Sequence, residues 1–248
     1  MLKNLPVHML WVSGELSRLA RLSLASFVAQ GFQVTLWSYA AGRLAADGVT
    51  VKDAAAVLPF EEGAASNMAY LTSLFRYRVL AEQGGIWADL DLVALGEGTL
   101  PEAIPFVASE KRRPFRHSEP TATGEGLTQV TNCFMCNPSP KLGDLFHRAT
   151  DAVAALNPED RSWENVGPHR LAKLMLERPD HGLAILAPEA ADPVAWWNVP
   201  GIFLEDRDPP DSPFMHMYAT IWARRGVDAE AAFPEASMAG RLWKRLGL

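Results

Sequence analysis

The sequence predicts an α/β fold, with a mostly parallel central sheet and helices on both faces. Three observations predict it. Residues 6–38 run apolar strand, amphipathic stretch, alternating strand, which is the order of a parallel βαβ unit. Residues 64–95, AASNMAYLTSLFRYRVLAEQGGIWADLDLVAL, run helix, double glycine, short apolar strand, and then two aspartates one residue apart. Short apolar runs recur at 104–109, 128–137 and 183–187 between helical or turn-rich stretches. At 248 residues, one domain spanning 1–248 is expected.

Each element has a local reason. PVHMLWV (6–12) reads as a buried strand ending at Ser13-Gly14. Residues 15–30 carry Leu16, Leu19, Leu22, Phe27 and Val28 at helical spacing, and Gly31 stops them. FQVTLWS (32–38) alternates as a strand, and a short strand is expected near Val49–Val51. The central helix is expected from about Ala64 to Gln83, capped by Ser66 or Asn67 and ended by Gly84-Gly85. Ile86-Trp87-Ala88 follows as a brief strand. Pro138-Ser139-Pro140 introduces a helix to about Leu156, residues 163–178 hold another, and the last twenty residues suggest a terminal helix with Arg241, Lys244 and Arg245.

Composition narrows the function. Apolar residues are 48% and charged residues 21%, an ordinary globular balance. The net charge of −6 argues against a nucleic-acid partner. Cys133 and Cys136 are the only cysteines, which excludes a four-cysteine zinc site and a disulfide-stapled scaffold; we read both as structural. The N-terminus lacks the long apolar core of a signal peptide, so a cytoplasmic protein is expected. The basic run Lys111, Arg112, Arg113, Arg116 within 110–126 is either a solvated loop or a lid over an anionic ligand. Together with the basic C-terminal helix, it would permit peripheral association with an anionic membrane face.

Asp89-Leu90-Asp91 carries the chemistry. On extended backbone, residues i and i+2 face the same way. Two adjacent carboxylates repel unless a cation lies between them, and hard oxygen ligands suit Mg²⁺ or Mn²⁺ with phosphate oxygens from a substrate. The carboxyl end of a strand is also where open α/β sheets bind ligands. The competing reading is a loop with two solvated acids. No glycine-rich dinucleotide fingerprint follows Ser13-Gly14.

The run LTSLFRYRVLAEQGGIWADLDLVAL resembles the DxD sugar-binding region of glycosyltransferase family 32 and of the large clostridial toxin glucosyltransferases. Arg76, Leu80, Gly84, Gly85, Asp89 and Asp91 fall in register with that pattern, and Trp87 replaces a tyrosine. VHMLWVSGEL is similar to the family's first strand, ENVGPHRLAKLM to its Gly-Pro segment (Gly167, Pro168), and HMYATIW to its C-terminal segment. The resemblance implies a GT-A-like, Rossmann-like fold. It also implies a retaining hexosyltransferase that moves a sugar from a nucleotide-diphosphate donor, UDP-linked, to a hydroxyl acceptor such as a polysaccharide or glycolipid. By the same resemblance Asp89, Asp91 and His216 hold Mn²⁺ or Mg²⁺, and the donor meets Trp11, Ser73, Arg76, Asp89, His216 and Trp222. Asp89, Asp91 and Arg76 are then the catalytic set.

Each role has a plainer counterpart. Arg76 holds a sugar or phosphate, or else forms a structural ion pair. Trp11 stacks on uracil, or else packs in the core. His216 between methionines is a ligand, a proton donor, or packing. Asn132 meets sugar hydroxyls, or else caps a turn. Ser73 stands where the family has an aspartate, so a bidentate acceptor for the donor sugar is missing. Two other classes remain. One is a haloacid-dehalogenase-type phosphatase with Asp89 as nucleophile and Glu205-Asp206 as its later acidic motif. The other is a sugar-nucleotide-binding protein without turnover.

Overall fold

The computed structural model describes residues 1–12, 14–60, 67–96, 98–111, 128–142 and 144–248. The basic run from 112 onward and Ser66 lie outside the described residues.

The chain opens with strand β1 (Pro6–Leu10), helix α1 (Arg18–Ala29), strand β2 (Gln33–Ser38) and strand β3 (Val49–Asp53). Helix α2 (Met68–Gln83) leads into β4 (Gly85–Ala88), followed by β5 (Leu92–Ala94), β6 (Phe106–Lys111) and β7 (Thr128–Asn137). Then come α3 (Asp144–Ala154), α4 (Trp163–Val166), α5 (Pro168–Glu177) and β8 (Ala184–Ile185). Helix α6 (Gly201–Leu204), β9 (Phe214–His216), α7 (Ala219–Arg224) and α8 (Met238–Arg245) complete it.

Seven strands form one sheet in the order β3-β2-β1-β4-β7-β6-β8. The pairs from β3 through β4 are parallel, β7 runs antiparallel to both β4 and β6, and β8 is again parallel to β6. The sheet is therefore mixed: six of its seven strands share one direction, in keeping with a mostly parallel order, and β7 alone runs against them. The cause is local connectivity. β6 and β7 are consecutive in the chain and pair directly, which antiparallel strands can do without a crossover helix.

Alternation along the strands builds two cores. Val7, Met9, Val34, Leu36 and Ile86 pack with α1 residues Leu24 and Phe27 on one face. Trp37, Trp87 and Met135 pack on the other with Phe75 and Leu80 of α2, Phe146 of α3 and Leu171 of α5. A third cluster joins Leu19 and Leu22 to Val93, Met215, Trp222 and Leu242.

The helix α2 starts where Asn67 accepts a hydrogen bond from Tyr70 N at 3.0 Å, the expected cap. It ends at Gly84, whose φ of 69° suits glycine. Gly85 has φ 96°, and a Cβ there would meet Pro6 O at 2.6 Å and His8 Nε2 at 2.9 Å. The double glycine thus stops the helix and lets β4 lie tightly beside β1.

Candidate active site at the carboxyl end of the fourth strand

Sheet topology fixes where a site can form. From β1 the chain moves outward to β2 and β3, whereas β4 lies on the other side of β1. That reversal leaves a crevice at the carboxyl ends of β1 and β4, the usual ligand position in an open α/β sheet. Asp89 follows β4 directly, and its backbone N–H donates to Cys133 O at 2.8 Å. Asp89 and Asp91 open onto a cavity of about 660 Å³, also lined by Thr72, Ser73 and Arg76 of α2.

Asp89 is held from two sides. The Trp87 indole N–H donates to its Oδ1 at 2.7 Å, and Arg76 Nη1 lies 3.2 Å from Oδ1 and 3.3 Å from Oδ2. Arg76 also donates to Asn132 O at 2.8 Å, and its guanidinium lies 5.2 Å from the centre of a Trp87 ring. Arg76 thus forms an ion pair with Asp89 through Nη1 while also lining the cavity. Burial raises the Asp89 carboxyl above its ordinary pKa; Arg76 opposes this and Asp91 reinforces it. A cation would relieve that crowding.

A second, two-stranded ribbon places His216. β5 and β9 pair antiparallel with Leu92 opposite His216, so Asp91 and His216 become neighbours. His216 Nε2 lies 3.3 Å from Asp91 Oδ1, and Ala219 N donates to Asp91 Oδ2 at 2.8 Å. Burial would raise the Asp91 carboxyl, but His216 and these hydrogen bonds overcome it and hold the group below its usual range.

The other ring nitrogen, Nδ1, donates to Asp192 Oδ1 at 2.9 Å, and Asp192 is wholly buried. Burial disfavours an imidazolium here, yet Asp91 and Asp192 raise His216 well above the ordinary histidine value. Tyr218 packs against His216, tilted by 34° at 3.9 Å between ring centroids, and places its hydroxyl 2.8 Å from Glu110 Oε2 and 3.0 Å from Asp192 Oδ1. It is the one non-glycine residue with positive φ, 52°, among the described residues. Strain of this kind gathers at functional sites.

Two sets of ligating atoms converge, each within 4.8 Å: Asp89, Asp91 and His216, and Cys133, Asp192 and His216. The first suits a divalent cation. It offers carboxylate oxygens facing a cavity, and an imidazole whose distal N–H is already given to a carboxylate, the arrangement that orients a metal-binding histidine. The second is closed off. Burial pushes the Cys133 thiol up to about 12, and binding would require the thiolate.

The structure thus brings Ser73, Arg76, Asp89, Asp91 and His216 to one cavity. Trp222 is not there. It is 1% exposed, lies in the third core, and donates its indole N–H to Met217 O at 2.7 Å. Trp11 does not line the cavity either; it follows β1 at the crevice, partly buried, with its N–H on Gly14 O at 3.3 Å. Asn132 lines the cavity but gives its amide to Tyr77 Oη at 3.2 Å. Glu205 is exposed beside Arg207, and Asp206 pairs with Arg241, both away from the cavity. No lysine lines the cavity among the described residues, as a phosphatase of the type considered above would need.

Asp192, Tyr218 and Glu110 were not singled out from sequence. An Ala-Ala-Asp-Pro turn and a lone tyrosine give no periodic or spaced signal. A larger groove of about 1100 Å³ between α1, residues 40–47 and the C-terminus brings together neither of the two ligating sets.

No protein-family model matches the chain. No curated protein matches it either. Among solved structures it is similar to one titled "PaToxG Glycosyltransferase", at 15% sequence identity and a TM-score of 0.48, over 70% of this chain and 69% of that chain. The chemistry rests on the side chains described above rather than on this likeness.

Proposed function

We propose that the chain is a metal-dependent glycosyltransferase with a GT-A-like arrangement, using a UDP-linked sugar as donor and a hydroxyl as acceptor. One observation carries the reading. Asp89, Asp91 and His216 converge at the carboxyl end of β4, and Asp192 fixes the histidine so that Nε2 faces the carboxylates. Asp89, Asp91 and His216 are the residues that would hold the cation. An imidazole among them favours Mn²⁺ over Mg²⁺. When bound, such a cation neutralises a diphosphate and stabilises it as a leaving group.

The chain's own residues do the rest. Arg76 and Trp87 oppose the protonation that burial favours at Asp89 and keep its carboxyl aimed. The Ala219 N–H does the same for Asp91. Ser73, one turn before Arg76, offers a hydroxyl at the cavity wall where a donor sugar would lie. Trp11, at the β1 side of the crevice, is the base platform. In the transfer, the acceptor oxygen bonds to the anomeric carbon, the anomeric carbon–oxygen bond to the diphosphate breaks, and the acceptor proton leaves with the diphosphate. The resemblance to family 32 adds retention of configuration.

Isothermal titration of UDP with and without Mn²⁺ tests the reading. Tight binding only with Mn²⁺, lost in Asp91→Ala, supports it. Binding that is indifferent to Mn²⁺ or to that substitution overturns it. Release of sugar from a panel of UDP- and GDP-sugars then separates an active transferase from a silent binder.

A further inference from the structure

The cavity has two unlike ends. Its inner end is ionic, with Asp89, Asp91 and His216. Its outer end is formed by Met68, Ala69, Trp163 and Pro168. Met68 is 46% exposed and Trp163 is 54% exposed, and they are the only large exposed apolar side chains on the cavity wall among the described residues. A single exposed apolar side chain is ordinary, but a pair at the mouth of a polar cavity marks a binding surface. Met68 precedes Arg76 by eight residues on α2, which spans about 12 Å of helix.

Trp163 is fixed in place. Ser162 caps α4 by accepting from Asn165 N at 3.3 Å, and Val166 is fully buried. Tyr77 Oη donates to Gly167 O at 3.2 Å while receiving the Asn132 amide. A Cβ on Gly167 would lie 2.9 Å from Trp163 O, so the α4–α5 turn closes tightly on the Trp163 backbone. His169 meets the ring edge-on at 5.9 Å between centroids. With its backbone fixed and one edge against His169, the indole leaves its faces open to a ligand.

Strand order decides which ligand. In the sequence β1-β4-β7, the carboxylates end the middle strand. Trp11 follows β1 on one side, and Trp163 is anchored through Gly167 and Tyr77 to Asn132 of β7 on the other. A diphosphate over β4 with its base toward β1 leaves the β7 side for the second substrate.

We propose that Trp163 is the stacking platform for a saccharide acceptor. A pyranose ring has an apolar C–H face and a rim of hydroxyls. That matches a flat indole beside the neutral polar groups of Thr72, Thr131 and Gln129 on the same wall. The inference rests on the glycosyltransferase reading and adds the residue that would seat a saccharide acceptor.

The test uses the full chain and two probes, cellotetraose and maltotetraose, observed by saturation-transfer NMR in the presence of Mn²⁺ and UDP. At least one should bind, and Trp163→Ala should weaken it by about tenfold while Trp163→Phe retains it. Titration of UDP with Mn²⁺ should be unchanged in both variants. Weaker UDP binding in Trp163→Ala would make this indole the base platform and overturn the proposal. So would silence of both saccharides, or binding of a serine- and tyrosine-containing peptide that depends on Trp163 instead. Failure of the underlying reading shows separately, as wild-type protein that does not bind UDP with Mn²⁺.

Discussion

His8 and His216 are both buried, at 2% and 8% exposure, and burial acts on them to opposite ends. His8 lies on β1 among neutral groups. It accepts from the Trp37 indole at Nδ1, 3.2 Å away, and faces Gly84 O through Nε2 at 3.0 Å. With the Trp37 N–H donating to Nδ1, the proton sits on Nε2 and is given to Gly84 O. Burial lowers its pKa to about 4; the Gly84 carbonyl opposes that and Lys52 adds to it. His216 lies on β9 between Asp91 and Asp192, and the two carboxylates reverse the effect of burial. The first histidine ties β1 and β2 to the helix stop. The second joins Asp89 and Asp91 in the set that could hold a cation. What differs is the charge at hydrogen-bond distance, since dehydration is common to both.

The largest expected effect breaks the second region alone. Asp91→Asn should reduce Mn²⁺-dependent turnover and UDP binding by more than about 100-fold, while urea unfolding stays near the wild type. Next, His8→Ala should break the first region alone. It leaves the Trp37 N–H and Gly84 O without partners, at a cost on the order of 3 kcal/mol in urea unfolding. Mn²⁺-dependent UDP binding by the folded fraction should be preserved.

Acid should affect the first region in the same sense. His8 has a folded pKa below its unfolded value, so the unfolded chain takes up the proton first. The stability this group contributes is complete above about pH 6.5 and is lost as pH falls toward 4, amounting to about 3 kcal/mol. His8→Gln should flatten that part of the pH–stability curve; an unchanged slope would count against the neutral histidine.

Smaller effects sharpen the second region. Asp192→Asn should weaken Mn²⁺ binding roughly 10- to 100-fold by leaving His216 Nδ1 on a neutral acceptor in place of a carboxylate, with Asp89 and Asp91 intact. Ser73→Ala should change turnover on the preferred donor by less than about fivefold, since only one neutral hydroxyl is removed. A larger fall would make Ser73 a principal donor contact.

The legibility of the two regions differs for the same reason. His8, Gly84 and Gly85 sit in elements whose pattern is local: a strand that alternates, a helix with a cap, a double glycine with positive φ. Asp89 and Asp91 were legible as paired acids at a strand end, but the extended backbone expected there is a turn, closed by the Leu92 N–H donating to Asp89 O at 2.9 Å. Asp192 and Glu110 carry no such mark. They join the site through Tyr218, across sequence separations of 26 and 108 residues, and no spacing rule reaches that far. Trp222 shows the converse: the string HMYATIW resembles a ligand-binding segment, but its tryptophan turns into the third core.

The sequence by itself determined the alternating strands, the helix that stops at Gly84, and the paired carboxylates that follow. Those features depend on neighbours a few residues apart, where backbone sterics and hydrophobic period act directly. Only the tertiary structure decided that β7 runs backward, that a separate ribbon sets His216 against Asp91, and that Arg76 pairs with Asp89. These are outcomes of long-range pairing and of burying charge, and they exist only once distant segments have been brought out of water together.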